Sequence, residues 1–119
     1  MTIISHQDIP LKIGLGTRSK LPSHKIVTAE AGARHCELWE QFMEAGGEIP
    51  IHYHKVEEIV TFLSGRVTVT IGAEMTIVEA DASVFIPPDV LHGFRNDGPE
   101  TARLLAFFPT SNPETLYKD

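Results

Sequence analysis

A single cysteine, Cys36, in 119 residues excludes an internal disulfide, and with it the class of small secreted domains stapled by such bonds. Cationic residues are also scarce: ten Lys and Arg stand against sixteen Asp and Glu, a net charge of -6. A sequence-independent nucleic-acid binder needs a basic face for the phosphates, so nucleic acid is not an expected partner. No apolar run reaches the roughly 18 residues that a membrane span requires, so no membrane partner is expected either. The opening, MTIISHQDIP, lacks a basic segment followed by an apolar one. No secretory signal is therefore expected, and the cytoplasm is the expected location. There is no solenoid-period repeat, low-complexity tract or heptad pattern. What is present is ordinary for a globular protein, with 42% hydrophobic and 22% charged residues. One domain spanning residues 1–119, long enough to bury a core, is the expectation.

The first 35 residues carry little signal. Met1–Ile4 and Ile9–Ile13 read as short strands separated by polar residues, and Ser19–His24 as an exposed connection. Gly14-Leu15-Gly16-Thr17 is a glycine turn rather than a phosphate loop, since neither the Lys-Ser/Thr ending nor a following helical period is there. His6, His24 and His35 have no ligand-like spacing. From Cys36 onward the pattern changes. Cys36–Glu44 reads as a strand stopped by Ala45-Gly46-Gly47, and Arg66–Ile71 alternates Val67, Val69 and Ile71 against Arg66, Thr68 and Thr70. Glu58–Leu63 is apolar enough to be buried on both faces. Turns at Ser64-Gly65, Gly72-Ala73, Asp81-Ala82, Pro87-Pro88-Asp89 and Asn96–Pro99 separate further short strands, ending with Thr101–Phe108. Six or seven strands at spacings of about 8–12 residues predict an all-β sandwich or closed barrel. The tail, Pro109–Asp119, reads as one short helical turn or an extended arm.

The stretch Gly46–Gly65, GGEIPIHYHKVEEIVTFLSG, holds the chemistry. His52, His54 and Glu58 are spaced by two and then four residues, which on one strand would turn all three to the same face. Glu57 would lie on the opposite face, so Glu58 is the preferred carboxylate. Two imidazoles and a carboxylate make up most of a divalent-metal site. His92, in PPDVLHGFRN, is the candidate for a fourth ligand.

The same residues carry a family resemblance. Gly46, His52, His54, Glu58 and Gly65 match the first cupin motif in full, and Pro87, His92 and Asn96 match the second. The second motif's two glycine positions hold Asp81 and Asp89, and Asp is one of the few other residues that visits a positive φ. The chain thus resembles a small single-domain cupin of the cupin 2 type, with the motif region at 46–96. That resemblance implies a double-stranded β-helix, or jelly-roll barrel, with at most a short helical turn near the C-terminus. It also implies one divalent first-row metal near the barrel centre, ligated by His52, His54, Glu58 and His92. Three imidazoles and one carboxylate suit Fe, Mn, Ni, Co or Zn. They leave a formal charge of about +1 on the ion to attract an anionic or chelating ligand.

Around this centre, alternation places Val56, Val60 and Phe62 on the ligand face and Phe94 beside His92, an apolar pocket wall. Glu40 or Gln41 would reach inward from the preceding strand to orient a ligand histidine. Arg34, Arg95 and Arg103 read as solvated rather than as bidentate partners of a substrate carboxylate, and Trp39 with Phe107-Phe108 as core or interface rather than stacking platforms. No further acid or base is visibly placed for proton transfer. Dioxygenase-like oxidation of a small organic substrate is therefore the favoured activity. A metal-dependent sugar or acid isomerase or lyase, or a non-catalytic small-molecule-binding cupin, is the alternative. A homodimer is expected, with the N-terminal residues and Trp39 as candidates for the shared surface.

Overall fold

The computed structural model describes residues 1–14 and 17–119, and its regular secondary structure is almost entirely antiparallel strand. In chain order these are β1 (Lys12–Ile13), β2 (Pro22–Val27), β3 (Glu37–Met43), β4 (Glu48–His52) and β5 (Glu58–Ser64). They continue with β6 (Arg66–Ile71), β7 (Glu74–Glu79), β8 (Ala82–Ile86), β9 (His92–Arg95) and β10 (Ala102–Phe108). A six-stranded sheet runs β1-β2-β3-β10-β5-β8, and a four-stranded sheet runs β4-β9-β6-β7. This is the jelly-roll arrangement of two antiparallel sheets packed face to face.

The period-two pattern of the sequence explains the layers. In β10, Ala102, Leu104, Ala106 and Phe108 are buried while the residues between them are less so. In β6, Val67 and Val69 face inward. Met43, Phe62, Leu104, Phe94 and Ile86 join them in one core between the sheets. Burying Phe62 and Leu104 side by side removes two of the larger side chains from water, at about 1.5–3 kcal/mol each. β5 is buried on one face only, for Ile59 on the other face is 40% exposed, so the reading of burial on both faces does not hold.

Two glycines, Gly65 of the first motif and Gly93 beside the ligand His92, have steric reasons. Gly65 turns β5 into β6 at φ 84°, and a Cβ there would stand 2.8 Å from the Ala102 backbone. Gly93, next to His92, lets β9 approach β4 so closely that a Cβ would meet Ile51 Cδ1 at 2.8 Å and the Ile49 carbonyl at 2.9 Å. Asn96 is fully buried and donates to the Met43 and Glu100 carbonyls at 2.8 and 2.7 Å, while its own side-chain oxygen accepts from Gly98 N–H. It thereby ties the end of β9 to the end of β3. Asp89 does take a positive φ, 67°. Asp81 does not; among the described non-glycine residues Asp89 alone does so.

The N-terminal region departs from expectation. Residues 1–4 form no strand, His6–Asp8 is a single 3₁₀ turn, and only Lys12–Ile13 of the second segment pairs, against β2. Of the glycine turn at 14–17, Leu15 and Gly16 lie outside the described residues. The tail is extended and carries no helical turn; Leu116 pairs with Tyr53 in an isolated antiparallel bridge. No helix among the described residues is long and apolar enough to cross a membrane.

Candidate metal centre

His52, His54, Glu58 and His92 come together, each buried, with one ligand atom from each within 4.8 Å of all the others. They do not do so from one strand. β4 ends at His52, the chain turns through Tyr53–Glu57, and Glu58 opens β5 in the other sheet. His92 opens β9 directly opposite His52. The site therefore spans the gap between the two sheets at one end of the barrel, and the single-strand alternation is corrected. Glu57 is exposed.

The three imidazoles share a feature that fixes their chemistry. Nδ1 of His52 lies 2.7 Å from the Pro50 carbonyl, Nδ1 of His92 2.9 Å from the Val90 carbonyl, and Nδ1 of His54 2.7 Å from the Glu114 carbonyl. A carbonyl oxygen only accepts, so each Nδ1 carries the proton and each Nε2 offers its lone pair to the centre. Glu58 Oε1 lies 3.0 Å from His92 Nε2 and 3.3 Å from His54 Nε2. His54 Nε2 is buried without a hydrogen bond of proper geometry. Lone pairs facing a carboxylate at such distances repel unless a proton or a cation stands among them. Ligand atoms about 3 Å apart are what neighbouring positions on an ion with bonds of about 2.1 Å require. The donor set thus fits a divalent first-row ion.

Without an ion, protons take its place. Burial alone would raise the Glu58 carboxyl, but the hydrogen bond from His92 and the charge of His54 and His92 beside it outweigh it and hold it down at about 2. Burial, with the nearby His92, pushes His52 down to about 4. Burial opposes a proton on His54 too, yet the Glu58 carboxylate prevails and raises it. The cluster is a carboxylate, a neutral His52 and a proton-attracting His54.

The space beside the ligands is lined by Ile49, Val60, Phe94, Leu104 and Phe108, with Trp39 and Gln41 from β3. Gln41 is held by Ser23, to which its amide donates at 3.1 Å. Thr17, Ser19, Thr115 and Tyr117 close the rest. Three expected pocket residues lie elsewhere. Phe62 is on the expected face but deeper, against Phe94 in the core. Val56 sits in the turn and packs on the cluster of Trp39, Ala106 and Phe108. Glu40 points to the outer side of β3, where Arg103 donates to it at 2.6–2.7 Å and His6 lies 3.3 Å away. Burial opposes the Glu40 charge, but Arg103 keeps its carboxyl below the usual range. Arg103 is therefore paired rather than solvated. Trp39 is 6% exposed, its indole donating to Glu37, so it offers no surface to a second copy. Tyr117, to which the sequence assigns no role beyond the tail, is among the described residues the one titratable lining residue besides the ligands. Its ring centroid is 6.3 Å from that of His52.

A family model described as a cupin domain matches residues 39–108, more than half of the chain. The chain belongs to the cupin family. Among curated proteins, this cupin is 41% identical over 64 residues to polyketide synthase CurC of Streptomyces cyaneus. That match covers 53% of this chain but only 42% of the relative's length. Among solved structures, the cupin superposes on the polyketide cyclase RemF from Streptomyces resistomycificus with TM-score 0.82 at 21% identity, covering 100% of this chain and 87% of the other. It superposes equally well on a predicted oxalate decarboxylase from Thermotoga maritima, TM-score 0.82 at 17% identity, over 92% of this chain and 99% of the other. At such identities the two structures speak for the fold.

Proposed function

We propose that this cupin is a metalloenzyme for a small organic substrate that binds through two oxygens, of the β-dicarbonyl class, and that it promotes proton transfer on that substrate. The observation that carries the reading is the set of three Nε2 lone pairs and one carboxylate facing a common point inside an apolar wall. A bound divalent ion would supply Lewis acidity, drawing electron density from a coordinated carbonyl. Glu58 contributes one negative charge only, which leaves net positive charge to attract an enolate-like ligand. The apolar residues Ile49, Val60, Phe94, Leu104 and Phe108 exclude water, and Gln41, oriented by Ser23, presents an amide to the substrate's polar end. Tyr117 has a hydroxyl that can give or take the proton, the group whose apparent lack favoured oxidation from the sequence. The similarity to a polyketide synthase, whose name points to poly-β-ketone chemistry, supports this substrate class.

Dioxygenase-like oxidation is the second reading, and the mostly apolar wall favours it. One experiment separates the two. The protein is loaded in turn with Fe(II), Mn(II), Ni(II), Co(II) and Zn(II) and offered a 2-methyl-3-oxobutanoate ester. Deuterium exchange at its central carbon and oxygen uptake are then followed together. Exchange above the buffer rate without oxygen uptake, lost in His52→Ala, is the expected result. Oxygen uptake would select the oxidative reading. Neither response from a metal-loaded protein would leave a binding module and refute both.

A further inference from the structure

The three ligand histidines differ in where their Nδ1 protons go. For His52 and His92 the acceptor is the carbonyl two residues earlier, Pro50 and Val90, part of the same local turn of chain. For His54 it is Glu114, sixty residues away on the C-terminal arm. The arm is fastened beside that bond. Tyr53 and Leu116 exchange backbone N–H···O=C bonds at 2.9 Å each way. Further along, the Tyr117 hydroxyl accepts from Arg18 N–H at 2.8 Å. The Arg18 guanidinium lies 4.0 Å over the Tyr117 ring and pairs with Asp119. Thr115 and Tyr117 then form part of the wall beside the ligands. With the arm in place the free space there is about 20 Å³. That is room for a water molecule or two, against the several hundred Å³ of an ordinary small-molecule pocket.

We propose that Glu114–Tyr117 is a strap with two linked tasks: it positions His54 as a ligand, and it closes the pocket, so that ion binding and strap closure stabilise one another. This rests on the metal-centre reading above. The physical reason is direct. An imidazole whose second nitrogen donates to a carbonyl is held in one tautomer and orientation and is the more basic ligand for it. When the strap lifts, His54 loses that acceptor, while His52 and His92 keep theirs. Any substrate larger than water enters only with the strap lifted, so entry transiently weakens one of four ligands. Glu114 acts through His54 and is a positioning residue, its backbone carbonyl being the working atom.

The test uses the full-length protein and Zn(II) as the probe. Amide exchange is measured at Leu116, whose N–H closes the strap, and at Leu104 in the core, with and without saturating Zn(II). Zn(II) affinity is measured by competition with a chromogenic chelator for the wild type, for Leu116→Pro, which deletes the strap N–H, and for Arg18→Ala, which removes the guanidinium contacts to the Tyr117 ring and Asp119 at its far end. Orienting partners of ligand histidines are commonly worth ~10–100-fold in metal affinity. Leu116→Pro is therefore expected to bind Zn(II) ~10–100-fold more weakly, and Arg18→Ala to shift the same way by less. By reciprocity Zn(II) slows exchange at Leu116 by the same factor, beyond any change at Leu104. If Leu116→Pro does not fold, Leu116 exchange in the wild type together with Arg18→Ala decides. Tight wild-type binding with unchanged Leu116 exchange, or with wild-type affinity in the folded variants, overturns the strap and leaves the metal centre standing. No Zn(II) binding by the wild type overturns both.

Discussion

Replacing Glu58 by Gln keeps shape and removes charge, and its effect on the metal-free protein can be worked out in advance. Glu58 is 6% exposed, and against the pull of burial His54 and His92 hold its carboxyl at about 2, well below the ordinary glutamate range. A depressed carboxyl stabilises the fold above its unfolded pKa, and that stabilisation is lost as pH falls from about 4.5 towards 2. A depression of that size corresponds to about 3 kcal/mol. His52 moves stability in the same direction over a different window: its folded value near 4 means the unfolded chain binds the extra proton as pH falls from about 6.5 to 4. That second effect depends less directly on the Glu58 side chain. Chelator-treated wild type and Glu58→Gln are therefore compared by urea unfolding at pH 7 and at pH 3. The wild type should exceed the variant by about 3 kcal/mol at pH 7, and the gap should shrink at pH 3. A gap below about 1 kcal/mol at pH 7, or one independent of pH, would refute the electrostatic reasoning for this cluster.

Ion binding must also expel the proton that Glu58 draws onto His54. Titration calorimetry near pH 6.5 in buffers of different ionisation enthalpy should show more than half a proton released per ion, and identical heats in all buffers would refute this. Phe62→Ala should cost about 3–5 kcal/mol in urea unfolding yet leave metal stoichiometry unchanged, because Phe62 packs in the core below the ligands; loss of the metal without loss of stability would reverse that assignment. The short edge strand β1 and the exposed Ile3, Leu11 and Ile13 are the expected shared surface of a homodimer, and a monomeric mass by sedimentation at micromolar concentration would dismiss it.

Much of this architecture was legible in the residues, and the gaps have physical causes. The glycines, Pro87 and Asn96 mark turns that only such residues make easily, and the His-x-His spacing survives any local conformation. Period-two alternation assigns the right face to Val60 and Phe62 but says nothing about depth, and Phe62 lies beneath the pocket rather than at it. It also failed across Tyr53–Glu57, where the chain leaves one sheet for the other; His54 and Glu58 meet through tertiary packing, and Val56 turns away with the loop. The choice between Glu40 and Gln41 depended on the pairing of β3 with β10, which sets Gln41 opposite Leu104 on the inner side. Tyr117 had no local signal, since its place is set by a bridge between Leu116 and Tyr53.

One measurement bears most directly on the account: the anomalous-scattering map of crystals grown with a first-row divalent ion, collected for the wild type and for His92→Ala. A single strong peak bounded by Nε2 of His52, His54 and His92 and the Glu58 carboxylate, absent or much weakened in the variant, is the result predicted. A peak elsewhere, or one undiminished when His92 is gone, would contradict it.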